Sequence, residues 1–132
     1  MADERISIAL IGAGANTKLR HIPGFQAMKG VEIVGVANRT RESGKRIADE
    51  YGIPKVYEHW TDAMADPDTN AVCIGTWPYT HRIMVEEALA SGKHVMTEAR
   101  MAMDSMEARA MLDASRAHPD LITQIVPAPL TF

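Results

Sequence analysis

Short apolar runs alternate with longer amphipathic ones along the whole chain, and this alternation restricts the fold more than any other feature. The runs at 6–11 (ISIALI), 31–37 (VEIVGVA), 56–57, 71–74, 94–97 and 121–126 read as strands. The stretches between them, 17–28, 40–51, 61–65, 80–90 and 105–117, carry helical spacing, as with Ile47 and Tyr51 on one face. Local signals punctuate them. Pro23 predicts a kink in the first helix, Gly52 a C-terminal cap on the second, and Thr61 a cap on the short third, which stops before Pro67. Strands separated by helices pair in parallel through right-handed crossovers. Several strands are apolar nearly throughout, as required when helices cover both faces of a sheet. The expectation is an α/β chain with a doubly wound, six-stranded parallel sheet in three αβα layers.

Gly12-Ala13-Gly14 stands directly between the first strand and the first helix. Glycine serves two needs there. The chain turns tightly off the strand, and the backbone can approach a pyrophosphate with no Cβ in the way. The helix start adds unpaired N–H groups and a partial positive charge. The context is that of a Rossmann dinucleotide site for NAD(H) or NADP(H), with Gly12, Ala13, Gly14 and Asn16 around the phosphates. Thr17 occupies the third glycine position, where it loosens the helix–strand fit and offers a hydroxyl to a phosphate. Lys18 and Arg20 add local positive charge. The competing reading is a plain strand-to-helix turn with no ligand.

Asn38-Arg39-Thr40-Arg41 follows the second strand, where such folds read the adenosine ribose. A carboxylate there would bind the ribose 2′-OH and repel a 2′-phosphate, and none occupies these four positions. Arg39 offers a planar fork suited to phosphate, with Thr40 as a second donor and Asn38 beside them. This favours NADP(H) over NAD(H). The alternative is a solvated helix start in which Glu42 offsets Arg39 and Arg41.

Two further segments carry a specific resemblance. Thr76-Trp77-Pro78-Tyr79-Thr80-His81 follows the fourth strand, and Gly92-Lys93-His94-Val95-Met96-Thr97-Glu98 runs through the fifth. With Gly12-Ala13-Gly14 and His21-Ile22-Pro23, these make nearly the whole chain resemble the N-terminal domain of the Gfo/Idh/MocA oxidoreductases. The resemblance implies that Thr76, Trp77, Pro78 and His81 line the nicotinamide half of the cleft and that Glu98 lies beside the nicotinamide ribose. Trp77 could cover a ring face, though simple packing is its alternative role, as a local hydrogen bond is for His81.

The sequence departs from that family in two respects, one motif and its length. The family motif after strand five is Glu-Lys-Pro, and Glu98-Ala99-Arg100 stands here. The role of the lysine cannot pass to Ala99. Arg100 cannot carry a proton, because its pKa is too high, but it suits a substrate anion or a polarised oxygen. Glu98 and Arg100 are therefore the catalytic candidates. The missing proline removes the main reason to expect a cis peptide. Family members continue into a sheet-rich second domain that supplies much of the substrate pocket. The resemblance thus makes 1–126 the NAD(P)-binding domain and 127–132 the start of a connection.

The whole-protein expectation is an oxidoreductase that moves hydride between nicotinamide and a sugar-like or polyol substrate, this stretch alone binding cofactor without full activity. A non-catalytic dinucleotide-binding module is the alternative favoured by Ala99, and an assembly domain with no ligand is a weaker third. A net charge of −3 gives no basic footprint for nucleic acid or an anionic membrane. The single cysteine, Cys73, forms no internal disulfide, and no Cys/His spacing reads as a metal site. No signal peptide or membrane-spanning run is legible, so a cytoplasmic location is expected, with a homo-oligomer open in the longer protein.

Overall fold

The computed structural model describes residues 5–14 and 17–127. Asn16, expected at the phosphates, lies outside them, as does most of the expected connection. Six parallel strands form one sheet: β1 (Ile6–Ile11), β2 (Val31–Ala37), β3 (Lys55–Val56), β4 (Ala71–Ile74), β5 (His94–Thr97) and β6 (Thr123–Ile125). Their order is β3-β2-β1-β4-β5-β6, so the order in which strands are added reverses between β1 and β4. That switch point is where ligands of open parallel sheets sit. The helices are α1 (Ile22–Gln26), α2 (Arg41–Tyr51), α3 (Trp60–Ala65), α4 (Pro78–Ala90) and α5 (Ser105–Ala117).

Side-chain alternation along β1 builds two cores. Ile8 and Leu10 pack on one face with Ile22, Ile33, Val36 and Ile47. Ala9 and Ile11 pack on the other with Val72, Ile74, Met84, Leu89 and Met111. In β2, Ile33 and Val36 share a face despite their odd spacing. A shift in register explains it, because Ile8 pairs with Ile33 but Ala9 pairs with Gly35, so Val34 is an extra residue. Cys73 is buried in the centre of the sheet, and burial, with a smaller contribution from the Glu98 charge, pushes its thiol up to about 12. It is a packing residue rather than a nucleophile.

Four local expectations change. The continuous helix expected over 17–28 is a π-type turn, Thr17–His21, leading into the five-residue α1, whose first turn holds Pro23. The proline needs no N–H partner there. Helix α3 begins at Trp60, with His59 rather than Thr61 as its N-cap, and the His59 N–H donates to Asp62 Oδ2 at 3.2 Å. Helix α4 begins two residues early because Pro78 opens it. Strand β3 ends at Val56, and Tyr57 lays its buried ring against Gly35, where a Cβ would meet the ring at 2.4 Å.

Helix α2 starts and stops as its sequence dictates. Thr40 Oγ1 accepts from the Ser43 N–H at 3.1 Å, and Gly52 closes the helix at φ +70°. Thr40→Ala therefore costs about 1 kcal/mol, the usual loss for an N-cap, read as a lower urea midpoint with unchanged slope.

Away from the cleft, Asp66 organises the α3–β4 connection. Its buried carboxylate accepts from Tyr57 Oη at 2.6 Å, from Lys55 Nζ at 3.0 Å and from the Asp68 N–H at 2.9 Å. Burial alone would raise its pKa, but the hydrogen bonds from Tyr57 and Asp68, then the Lys55 ammonium, hold it below the ordinary range. Lys93, buried before β5, donates to the carbonyls of Asp66 and Thr69 at 2.8 and 2.7 Å. Burial pushes its pKa down, against the Asp66 charge.

Candidate functional site: a dinucleotide cleft at the switch point

The ends of β2, β1, β4 and β5 run into one another through the ladder. The Gly12 N–H donates to Ala37 O at 2.8 Å, the Gly75 N–H to Ile11 O at 2.8 Å, and the Glu98 N–H to Ile74 O at 3.0 Å. The loops they begin surround a cleft of about 870 Å³, at the upper end of the range for small-molecule sites. Gly12, Ala13, Gly14, Thr17, Asn38, Arg39, Thr76, Trp77, Pro78 and Glu98 all lie on its wall, so the structure brings together ten of the residues singled out from sequence.

The glycines do different work. Gly12 sits at φ +79°, and a Cβ there would lie 2.6 Å from Thr76 Cγ2 and 3.0 Å from Thr76 N. A Cβ at Gly14 would meet no atom of the described residues within 4 Å, so their packing does not require its bareness. It leaves the backbone open to a ligand, which is the fit a pyrophosphate needs. The N–H groups of Gly12, Ala13 and Gly14 already donate to Ala37 O, Asn38 Oδ1 and Gly12 O. The loop therefore supplies room rather than free donors from these three residues.

Thr17 in the third glycine position does not loosen the fit. It is buried, and the missing Cβ has moved across the interface to Gly75, where a methyl would stand 2.7 Å from Thr17 Oγ1 and 2.7 Å from Gly12 O. The short α1 brings a smaller aligned dipole than a twelve-residue helix would. Lys18 points to Glu50, at 3.8 Å.

At the β2 end, Asn38 is a brace. Its Oδ1 accepts from the Ala13 N–H at 2.7 Å, and its Nδ2 donates to Ser43 Oγ at 2.9 Å. Thr40 is occupied as a helix cap and stands off the cleft wall. Arg39 is exposed on that wall. Glu58, His59 and Trp60 complete this end, and sequence reasoning missed them because they arrive from the β3–α3 connection.

At the other end, Trp77 is 71% exposed on the rim. The Thr76 hydroxyl is bound to Thr80 Oγ1 at 2.6 Å, and Thr80 donates onward to Trp77 O at 2.7 Å. His81 corrects an expectation. It is fully buried and off the cleft wall, with Nε2 2.9 Å from Thr76 O and Nδ1 2.8 Å from Arg100 O. It ties two loops of the site together instead of facing a ligand. Arg100 is exposed, is not on the wall, and follows a cis peptide bond from Ala99, although the missing proline had removed the main reason to expect one. Glu98 is held by His21, whose Nε2 meets Glu98 Oε1 while its ring stacks on Phe25. His21 entered the sequence reading only through its motif, and nothing local marked it as the partner of a residue 77 positions away.

The family model described as an oxidoreductase family with an NAD-binding Rossmann fold, Gfo/Idh/MocA, matches residues 6–124. The chain belongs to this family. It is 31% identical over 112 residues to trans-1,2-dihydrobenzene-1,2-diol dehydrogenase of Bos taurus, covering 85% of this chain and 32% of that protein. It is 32% identical over 109 residues to 4-carboxy-2-hydroxymuconate-6-semialdehyde dehydrogenase of a Sphingobium species, covering 83% and 34%. A variant of a 3-ketoreductase from Actinomadura kijaniata, solved with TDP-benzene and NADP, superposes with a TM-score of 0.81 at 25% identity, covering 87% of this chain and 36% of that one. The chain thus spans about a third of the length of these relatives. Among the described residues no helix is long and apolar enough to cross a membrane.

Proposed function

We propose that this domain binds NADP(H) in preference to NAD(H) and forms the nucleotide-binding part, residues 1–126, of an oxidoreductase acting on a sugar-like or polyol substrate. The observation that carries the reading is Arg39 on the cleft wall at the β2 end, with no carboxylate at positions 38–41. A guanidinium fork suits a 2′-phosphate and gains little from a neutral hydroxyl. Gly14 leaves the phosphates room, Trp77 covers one ring face, and His21 orients Glu98 at the nicotinamide end. The nicotinamide, when bound, supplies or accepts hydride. Relatives about three times longer support a further domain that supplies substrate contacts. On this reading the chain alone binds cofactor without completing turnover.

Titration of NADPH and NADH by fluorescence tests the preference. NADPH is expected to bind about tenfold tighter, the worth of one good charge-assisted contact, and Arg39→Gln to erase the difference. Equal affinities in the unaltered chain overturn it. Ala99 favours a second reading, a dinucleotide-binding module without catalysis. Substrate-dependent reduction of NADP by the longer protein would exclude that reading.

A further inference from the structure

We propose that Glu58 is a specificity-determining residue that restrains 2′-phosphate binding from the same end of the cleft as Arg39; the inference rests on the dinucleotide reading above. Glu58 follows Tyr57 in the β3–α3 connection and lines the same end of the cleft as Asn38, Arg39 and Ser43. Its Oε1 lies 3.7 Å from Arg41 Nη1, and the same nitrogen donates to Val56 O at 3.4 Å. Arg41 opens α2 beside Arg39 in sequence, yet it is not on the cleft wall. Two guanidinium groups therefore stand at this end, and the carboxylate holds one of them aside.

Glu58 acts in two ways. A ribose 2′-phosphate carries between one and two negative charges near neutral pH, and a carboxylate on the same wall repels it directly. The ion pair also keeps Arg41 from joining Arg39 as a second phosphate donor. A ribose 2′-OH meets neither penalty and can donate to the carboxylate. The β2 end alone, with two arginines and no acid, overstates the advantage of a 2′-phosphate. The correcting charge comes from the next crossover, across the fold.

The experiment uses 2′,5′-ADP and 5′-AMP, which differ only in the 2′-phosphate, titrated calorimetrically into the chain, Glu58→Gln, and Glu58→Gln/Arg41→Gln. Glu58→Gln is expected to tighten 2′,5′-ADP about fivefold and leave 5′-AMP within about twofold, a size consistent with one partly solvated charge contact. The gain should shrink in 0.5 M salt as screening predicts. Adding Arg41→Gln should remove most of it. Both side chains are more than half exposed, so the thermal midpoint should not move. An unchanged ratio of the two affinities in Glu58→Gln overturns the proposal, as does an equal gain for both ligands. A shifted ratio in a chain that shows no native NADP(H) preference supports Glu58 and overturns only the preference. Binding of neither probe by the unaltered chain overturns the dinucleotide reading and this inference with it.

Discussion

Gly12→Ala should lower stability by about 3 kcal/mol and weaken dinucleotide binding, while Gly14→Ala should weaken binding alone. The two positions belong to one motif, and the structure separates them. At Gly12 a side chain faces a positive φ together with backbone and side-chain atoms of Thr76 at 3.0 and 2.6 Å. Thr76 cannot simply rotate away, because its carbonyl is held by His81 and its hydroxyl by Thr80. A loss of 3 kcal/mol corresponds to a fall in melting temperature of roughly 10 °C for a domain of this size. At Gly14 a methyl meets no atom of the described residues within 4 Å. Its melting temperature should stay within about 2 °C of the unaltered chain, since the site is unstrained and exposed. The methyl would occupy the room a pyrophosphate needs, so affinity should fall at least about tenfold. Thermal melts with and without NADPH separate the effects. A Gly14→Ala chain still stabilised by NADPH to the native degree would remove the glycine loop from the site.

The second large effect lies far from the cleft. Asp66→Ala is expected to cost about 3 kcal/mol, the scale for removing a buried charged acceptor and stranding its partners. The Tyr57 hydroxyl, the Asp68 N–H and the Lys55 ammonium all converge on that carboxylate. The pH dependence follows from its lowered folded pKa. The unfolded chain releases this proton near pH 3.9, so the carboxylate contributes its full stabilisation above about pH 5. That contribution disappears as pH falls through the folded value below it. Urea melts from pH 7 to pH 3 should show the difference between the unaltered chain and Asp66→Ala narrowing only at the acid end. A difference that stays constant or widens down to pH 3 would overturn the lowered folded pKa.

The fold was legible because its signals are local. Apolar runs, a threonine before 41–51 and a glycine after it define the elements, and β4, β5 and α5 fall where their sequences place them. The parallel pairing followed from the crossovers, whereas the order of strands came only with the structure. The site was legible only where one segment carries it. Gly12 and Arg39 sit at strand ends that the pattern marks. His81 misled because its motif describes a strand-end segment and not the direction of a ring, and two carbonyls turn that ring inward. Thr40 misled for a related reason. Short polar side chains at a helix start bond the nearest backbone before any ligand arrives. Glu58 and His21 were illegible because their partners lie on other elements. The displaced glycine was hidden in the same way, since Thr17 reads as a lost motif position until Gly75 is seen opposite.

That exchange between Thr17 and Gly75 bears on when the site comes into being. The first 60 residues contain the glycine loop, Arg39 and Glu58, yet the surface against which Gly12 and Thr17 close belongs to the turn after β4. Phosphate-binding geometry therefore depends on a contact whose two sides are about 58 to 63 positions apart in the chain. Neither half carries the completed pocket. Nucleotide capture becomes a signal that β1 and β4 have joined, and its free energy falls on the finished sheet rather than on any segment that forms earlier.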